Sequence, residues 1–329
     1  MESIMERFLR PDTYAVWSKD EDTRYNSTSG GAFYEFSKII LADGGLVAGA
    51  RYNDKNLVEH SIVDNIEALE KLRQSKYISS SQKNIYREVK KALIKGKTVA
   101  FCGAPCQVAG IYAYLGKEYD NLITMDFICR GMNSPKAFKS WLNEIEGQEG
   151  SKVTRVWFKY KDGGWKSSPE RTRLDFADGH YIVKEGEKNL FMHGYLNSNL
   201  YIRPCCGDCQ FKGVPRKSDI TFADFWGIDK EIDDDKGTSM LLINSEKGRE
   251  LLAMVRANME VYEKEFDSIF DGNPMFTNSV VVPKKSYYFL KDLDNMTFSE
   301  CMRKYTRGFL WQRVSKKTIQ GIKKFLRRI

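Results

Sequence analysis

The sequence predicts an α/β fold: a mixed sheet covered by helices, with an antiparallel β insertion and a basic C-terminal helix. Three observations carry this. Short apolar runs alternate with helical periodicity over roughly the first 145 residues. Between about 151 and 185 the texture changes to closely spaced strands and glycine turns. After Glu300 every charged residue is basic, and apolar residues recur there at helical spacing.

Taken in order, Tyr14-Ala15-Val16-Trp17 is the first strand. Phe33, Phe36, Ile39 and Ile40 share one face of a helix that ends at Asp43-Gly44-Gly45. Leu46 to Ala50 is a strand, and Ile85, Val89 and Leu93 mark a second amphipathic helix closed by Gly96. Thr98 to Phe101 is a strand, followed by a helix from Gln107 to about Leu115. Leu122 to Ile128 is another strand, and Ser134-Pro135 opens a helix as N-cap and first-turn proline. Val153–Tyr160, Arg171–Phe176 and His180–Val183 form the antiparallel insertion, with turns at Asp162-Gly163-Gly164 and Asp178-Gly179. Ile220–Phe222 and Met240–Asn244 are further strands, and Leu251, Leu252, Val255 and Met259 line one helix face.

Composition narrows the function. No apolar run approaches 18 residues, so no transmembrane helix is expected. Met1 to Arg7 lacks an apolar signal core, so a cytoplasmic location is expected. The net charge of +8 is a tail property. Ten of the 52 basic residues follow Glu300, leaving 42 against 44 acidic ones in residues 1–302. A nucleic-acid-binding surface over the body is therefore not expected. The tail helix, residues 303–329, reads either as a docking element for an anionic membrane face or as a packed terminal helix with solvated lysines.

Seven cysteines in such a chain favour thiol or metal chemistry over disulfides. Cys106 and Cys129 each follow a strand, where α/β sheets present ligands. Cys206 and Cys209 form a Cys-x-x-Cys pair in a Gly/Pro-bearing loop. Together the four make a thiolate site for a structural zinc or for an iron–sulfur cluster. Cys102, Cys205 and Cys301 read as incidental thiols, and His60, His180 and His193 as structural or exposed. There is no Gly-x-Gly-x-x-Gly fingerprint. The best anion cradle is Ser29-Gly30-Gly31 before a helix, which also reads as an ordinary helix start. Lys236, Gly237 and Ser239 form a second candidate, and Asp224 and Trp226 a carboxylate and an aromatic wall.

Several segments carry a family likeness. Phe101-Cys102-Gly103-Ala104-Pro105-Cys106-Gln107-Val108-Ala109-Gly110 resembles a motif of the coenzyme F420 hydrogenase/dehydrogenase beta-subunit family. The likeness continues through Asp126 to Gly131, Arg203-Pro204 with Cys206 and Cys209, and Ser218 to Gly227. Ser29-Gly30-Gly31, Ser75-Lys76-Tyr77 and Lys236 to Ser239 match in order. The resemblance implies an FAD- and [4Fe-4S]-dependent oxidoreductase over residues 1–302, with the cluster on Cys106, Cys129, Cys206 and Cys209. It implies flavin contacts among Ser29, Gly30, Gly31, Ser75, Lys76, Asp224, Trp226, Lys236, Gly237 and Ser239. In the branch found with bacterial surface-polysaccharide genes it implies a glycan or small-molecule substrate. Two other readings are reduction of the deazaflavin coenzyme itself and a zinc-stabilised scaffold. The sequence departs from that branch at Arg130, usually His, and at Met132-Asn133, usually Val-Pro. The family's N-terminal ferredoxin segment has no counterpart here, so either a separate ferredoxin-like electron donor or a reaction without net electron supply is expected.

Overall fold

The computed structural model describes residues 6–306. Its strands are β1 (Asp12–Ser18), β2 (Leu46–Tyr52), β3 (Val58–Val63), β4 (Val99–Cys102), β5 (Leu122–Phe127), β6 (Val153–Phe158), β7 (Thr172–Phe176), β8 (Tyr181–Lys184), β9 (Ile220–Asp224), β10 (Ser239–Ile243) and β11 (Met259–Lys264). Eight of them form one sheet in the order β11-β1-β10-β9-β5-β4-β2-β3. The centre, β2-β4-β5-β9, is parallel. Antiparallel pairs extend it on both sides. The fold is thus the mixed α/β sheet that the sequence predicts.

Alternation along the parallel strands explains the layers. Val47 and Ala100 face one side with Phe36, Ile40, Leu251 and Leu252. Ala48, Val99 and Phe101 face the other with Val89, Leu93, Val108 and Ile111. Successive side chains of a strand point to opposite faces, so a sheet covered twice needs strands that are apolar throughout. Helices Ala32–Ala42 and Glu246–Val255 cover the first face, and Ile85–Ile94 and Pro105–Leu115 the second.

The insertion forms its own antiparallel sheet, β6-β7-β8. Its inner face shares a core with helices Pro135–Glu149 and Leu190–Ser198, through Phe138, Trp141, Phe158, Leu174 and Phe191.

Some boundaries differ from the sequence reading. Met259 does not continue the Glu246–Val255 helix; a short turn at Arg256–Asn258 reverses the chain and Met259 begins β11. Helix Pro105–Leu115 starts two residues early, at Pro105, which places Cys106 in its first turn. Ser134 occupies an N-cap position, but its side chain makes no capping bond. A helix covers 298–306. The basic helix predicted over 303–329 lies, beyond Thr306, outside the described residues. No helix among the described residues is long and apolar enough to cross a membrane.

Candidate active site

A cleft of about 490 Å³ opens outside the carboxyl ends of the four parallel strands. Ala50 of β2, Cys102 of β4, Phe127 of β5 and Asp224 of β9 all line it. Loops there bring together residues distant in sequence, which is why open α/β sheets bind ligands at this edge.

One wall is an anion cradle. Helix Ala32–Ala42 has no side-chain cap, and Gly31 enters it at φ 93°. Gly31, Ala32 and Phe33 line the cleft, so the helix start opens into it. Unpaired amides at such a start attract negative charge. The Ser75 amide donates to Thr28 Oγ1 at 2.8 Å, and the two hydroxyls lie 3.1 Å apart. This joins the Ser27–Gly31 loop to the Ser75–Tyr77 loop. Ser29 and Ser239 also line the cleft, but their hydroxyls bond internally, Ser29 to the Thr238 carbonyl at 2.6 Å and Ser239 to the Gly30 amide at 2.9 Å. Gly30 faces away from the cleft, against β1 and β10. Lys76 Nζ is buried and donates to the carbonyls of Leu72, Arg73 and Gln74. Burial pushes its ammonium down to about 7. The cradle therefore fits a diphosphate through backbone amides rather than through the serine hydroxyls.

The insertion braces the cleft's lining from behind. Lys159 follows β6, is almost wholly buried, and donates to Asp224 Oδ2 at 2.6 Å. Burial lowers its pKa, and Asp224 opposes the shift. Trp226 lies against the cleft and stacks on buried Trp165 with centroids 4.4 Å apart. Lys161 Nζ donates to the carbonyls of Arg24, Ser29 and Lys236 at 2.6, 2.5 and 3.1 Å. Lys236 itself points outward, pairing with exposed Glu21 at 2.8 Å, and Gly237 packs on the Ser29 backbone. Of the predicted contacts, Ser29, Gly31, Ser75, Lys76, Asp224, Trp226 and Ser239 share the cleft, whereas Gly30, Lys236 and Gly237 do not.

The four cysteines gather around Cys129, the one of them that lines this cleft. Cys129 follows β5 and lines it. Glycine is required at 131, where φ is 148° and a Cβ would lie 2.8 Å from the Ile202 side chain and 3.4 Å from Cys206 Cβ. The Arg203–Cys209 loop docks here: the Arg203 amide donates to the Met132 carbonyl at 2.8 Å, and the Met132 amide to Cys206 Sγ at 3.5 Å. The Cys209 amide donates to Ser279 Oγ at 2.9 Å. Lys212 Nζ ties the Cys129 and Met275 carbonyls together, each at 2.7 Å. All seven thiols are free. Cys106 keeps an exposed surface, yet desolvation by the atoms around its thiol pushes it up, and the Cys206 and Cys209 thiols push it further. Burial takes Cys129 to about 12, with Cys106 adding to the effect. Mutual elevation of this kind marks thiols crowded round one space, and a cationic core there would reverse it. Among the described residues no set of three or more His, Cys, Asp or Glu converges on a single-ion position. Four thiolates are the donor set of an iron–sulfur cluster and of a structural zinc alike.

Of the cleft residues that the sequence reading did not place there, two adjoin cysteines. Arg130 is one. His60, in β3, is the other: it is buried, lines the cleft and stacks on Phe101. Its Nε2 lies 3.1 Å from the Cys102 carbonyl, so Nε2 carries the proton and Nδ1 accepts from Gln82 at 2.9 Å. Burial depresses its pKa from 6.5 to about 4. The unfolded chain binds this proton first. The neutral ring's contribution is therefore complete above pH 6.5 and is lost as pH falls towards 4, by about 3 kcal/mol. Urea unfolding measured across this window should show that loss, and His60→Phe should flatten it. An equally steep profile in the variant would refute the assignment. An alternating His in an edge strand gives little signal of its placement.

A family model for the C-terminal part of the coenzyme F420 hydrogenase/dehydrogenase beta subunit matches residues 96–268. That span holds all four cysteines, Asp224, Trp226 and Ser239, while the helix-start cradle lies outside it. The fold is similar to a chain of the F420-reducing [NiFe] hydrogenase complex from Methanosarcina barkeri, solved as a xenon derivative. The TM-score is 0.55 at 17% identity, over 93% of this chain and 94% of that one. No curated protein matches this chain.

Proposed function

Because the chain belongs to the coenzyme F420 hydrogenase/dehydrogenase beta-subunit family, we propose that it is an oxidoreductase using a flavin, FAD, and one [4Fe-4S] cluster. One observation carries this reading: Cys129 belongs both to the four-thiol group and to the lining of the cleft. A flavin supplies hydride transfer coupled to single-electron steps, and a cluster carries one electron at a time. The residues divide the remaining work. The amides at Gly31–Phe33 hold a diphosphate, with Thr28 and Ser75 fixing the loop beside them. Lys159 keeps the Asp224 carboxylate turned into the cleft, where it accepts hydrogen bonds from a bound molecule. Cys106, Cys129, Cys206 and Cys209 hold the cluster.

Anaerobically purified protein should show flavin bands over broad cluster absorbance, with about four irons per chain. A colourless protein with one zinc would establish the scaffold reading instead. Thr28→Asp keeps an acceptor for the Ser75 amide and adds negative charge beside the cradle. Flavin affinity should fall at least about tenfold by like-charge repulsion, with iron content unchanged. Undiminished flavin affinity in this variant would exclude the cradle.

The family name and the structural neighbour's name both carry coenzyme F420. That deazaflavin is the second reading for the hydride partner, and turnover with it selects that reading. The likeness to the polysaccharide-gene branch supports a role in surface glycan synthesis. Deletion of the gene, scored by surface glycan composition, tests it.

A further inference from the structure

We propose that Arg130 binds an acidic group of the redox substrate, which makes that substrate a carboxylate- or phosphate-bearing molecule seated beside Cys129. The inference rests on reading the cleft as an oxidoreductase site. Arg130 directly follows Cys129 and lines the cleft. Its Nη2 donates to the Leu196 carbonyl at 2.9 Å and to Asn199 Oδ1 at 3.0 Å. Its guanidinium lies over the Tyr195 ring, 5.7 Å from the centroid. These partners are all neutral. They fix the plane of the group without compensating its charge.

Nε is buried and has no acceptor. An N–H stripped of water and left without a partner is costly, and a half-buried cation without a counter-charge costs more. Arg73 also has an orphaned buried Nε, but its charge and that of other cations near the cleft are met. Arg73 pairs with Glu70 at 2.8 Å, and Lys159 with Asp224 at 2.6 Å. Lys76 spends its ammonium on three carbonyls. Arg130 has N–H donors beyond those that Leu196 and Asn199 occupy. A planar guanidinium held at Nη2 and against the Tyr195 ring is already organised to meet a carboxylate or phosphate, which accepts from the donors of Nη1 and supplies the missing charge. A flavin diphosphate carries the same chemistry. It has its own place at the helix start, so the acidic group at Arg130 belongs to the molecule that reacts.

The test is calorimetric titration of the full-length, cofactor-loaded protein with inorganic phosphate and with acetate at low salt. Wild type should bind at least one of them saturably. Arg130→Gln keeps an amide donor for the Leu196 carbonyl but no charge, and should bind about tenfold more weakly or worse. Arg130→Lys should fall between the two. Flavin and iron contents should match wild type in both variants, as should the thermal melt. Equal affinity in wild type and Arg130→Gln would overturn the proposal, as would the lack of a saturable isotherm in wild type. A parallel loss of flavin from Arg130→Gln would place the flavin's own phosphate on Arg130 and would also overturn it. Wild-type protein that carries no flavin would sink the reading of the cleft, while the phosphate isotherms would still decide whether Arg130 is an anion site.

Discussion

Cys129→Ser is expected to take iron from about four per chain to under about one, with sulfide falling in step and redox turnover abolished. The size of the effect follows from the lack of a substitute. Cys102 also lines the cleft, but burial pushes its thiol up to about 12, so it stays protonated and apolar in character. Cys205 adjoins Cys206 in the docked loop, which makes it a stand-in for Cys206 rather than for Cys129. A serine hydroxyl neither ionises near neutral pH nor binds iron softly. The fold should survive, since the change is small and sits at a strand end. Cys301→Ser supplies the contrast: that thiol is wholly buried in the second core, so the variant should lose some stability and keep its iron. Iron and sulfide assays on folded protein decide the matter. Full cluster content in Cys129→Ser would show the ligand set to be wrong.

Gly30→Asp is expected to give no folded protein. A Cβ at this position would lie 2.3 Å from the Val16 carbonyl oxygen, 2.9 Å from the Ser239 amide and 3.0 Å from Trp17 Cα. All three are backbone atoms of β1 or β10, and β1 is itself held between β10 and β11. The Ser18 amide also donates to the Gly30 carbonyl at 2.7 Å, which clamps the loop onto the strand. Neither side can withdraw without breaking the ladder, so even Gly30→Ala should cost more than about 3 kcal/mol. The sequence suggests a different outcome, in which the aspartate repels a diphosphate from an intact protein. The packing overrides that expectation because Gly30 lies against the sheet, not in the cleft. Soluble expression and a urea melt of Gly30→Ala are sufficient. A wild-type midpoint would show that the loop is not clamped as described.

Much of the fold was legible because its signals are local. Val99-Ala100-Phe101 and Met240 to Ile243 are wholly buried strands and read as unbroken apolar runs. Ile85, Val89 and Leu93 have the period of a helix and occupy one. Misreadings fell where a local pattern had two solutions. Met259 keeps helical spacing with Leu252 and Val255, and only the Arg256–Asn258 turn removes it from the helix. β3 carries Glu59, His60 and Ser61 within six residues, which hides an edge strand from an apolar count. The site divides similarly. Cysteines and glycines announce themselves by type, so the thiol group was visible. Lys159 and Lys161 were not, because a lysine beside a strand reads as solvated until the carboxylate or carbonyls around it are known.

Those two lysines bear on how far the small sheet is a module. In sequence it is a clean interruption, about 35 residues between helices Pro135–Glu149 and Leu190–Ser198. In space it reaches under the cleft with Lys159 on Asp224 and Lys161 on three carbonyls of the cradle and its neighbours. Excising it would strand a carboxylate and unpin the loop that ends in Gly31. A shortened relative would need to lose Asp224 as well and close the loop by another route. The insertion and the cleft are therefore constrained to change together, and a chimera that swaps one without the other inherits an unbalanced charge at its centre.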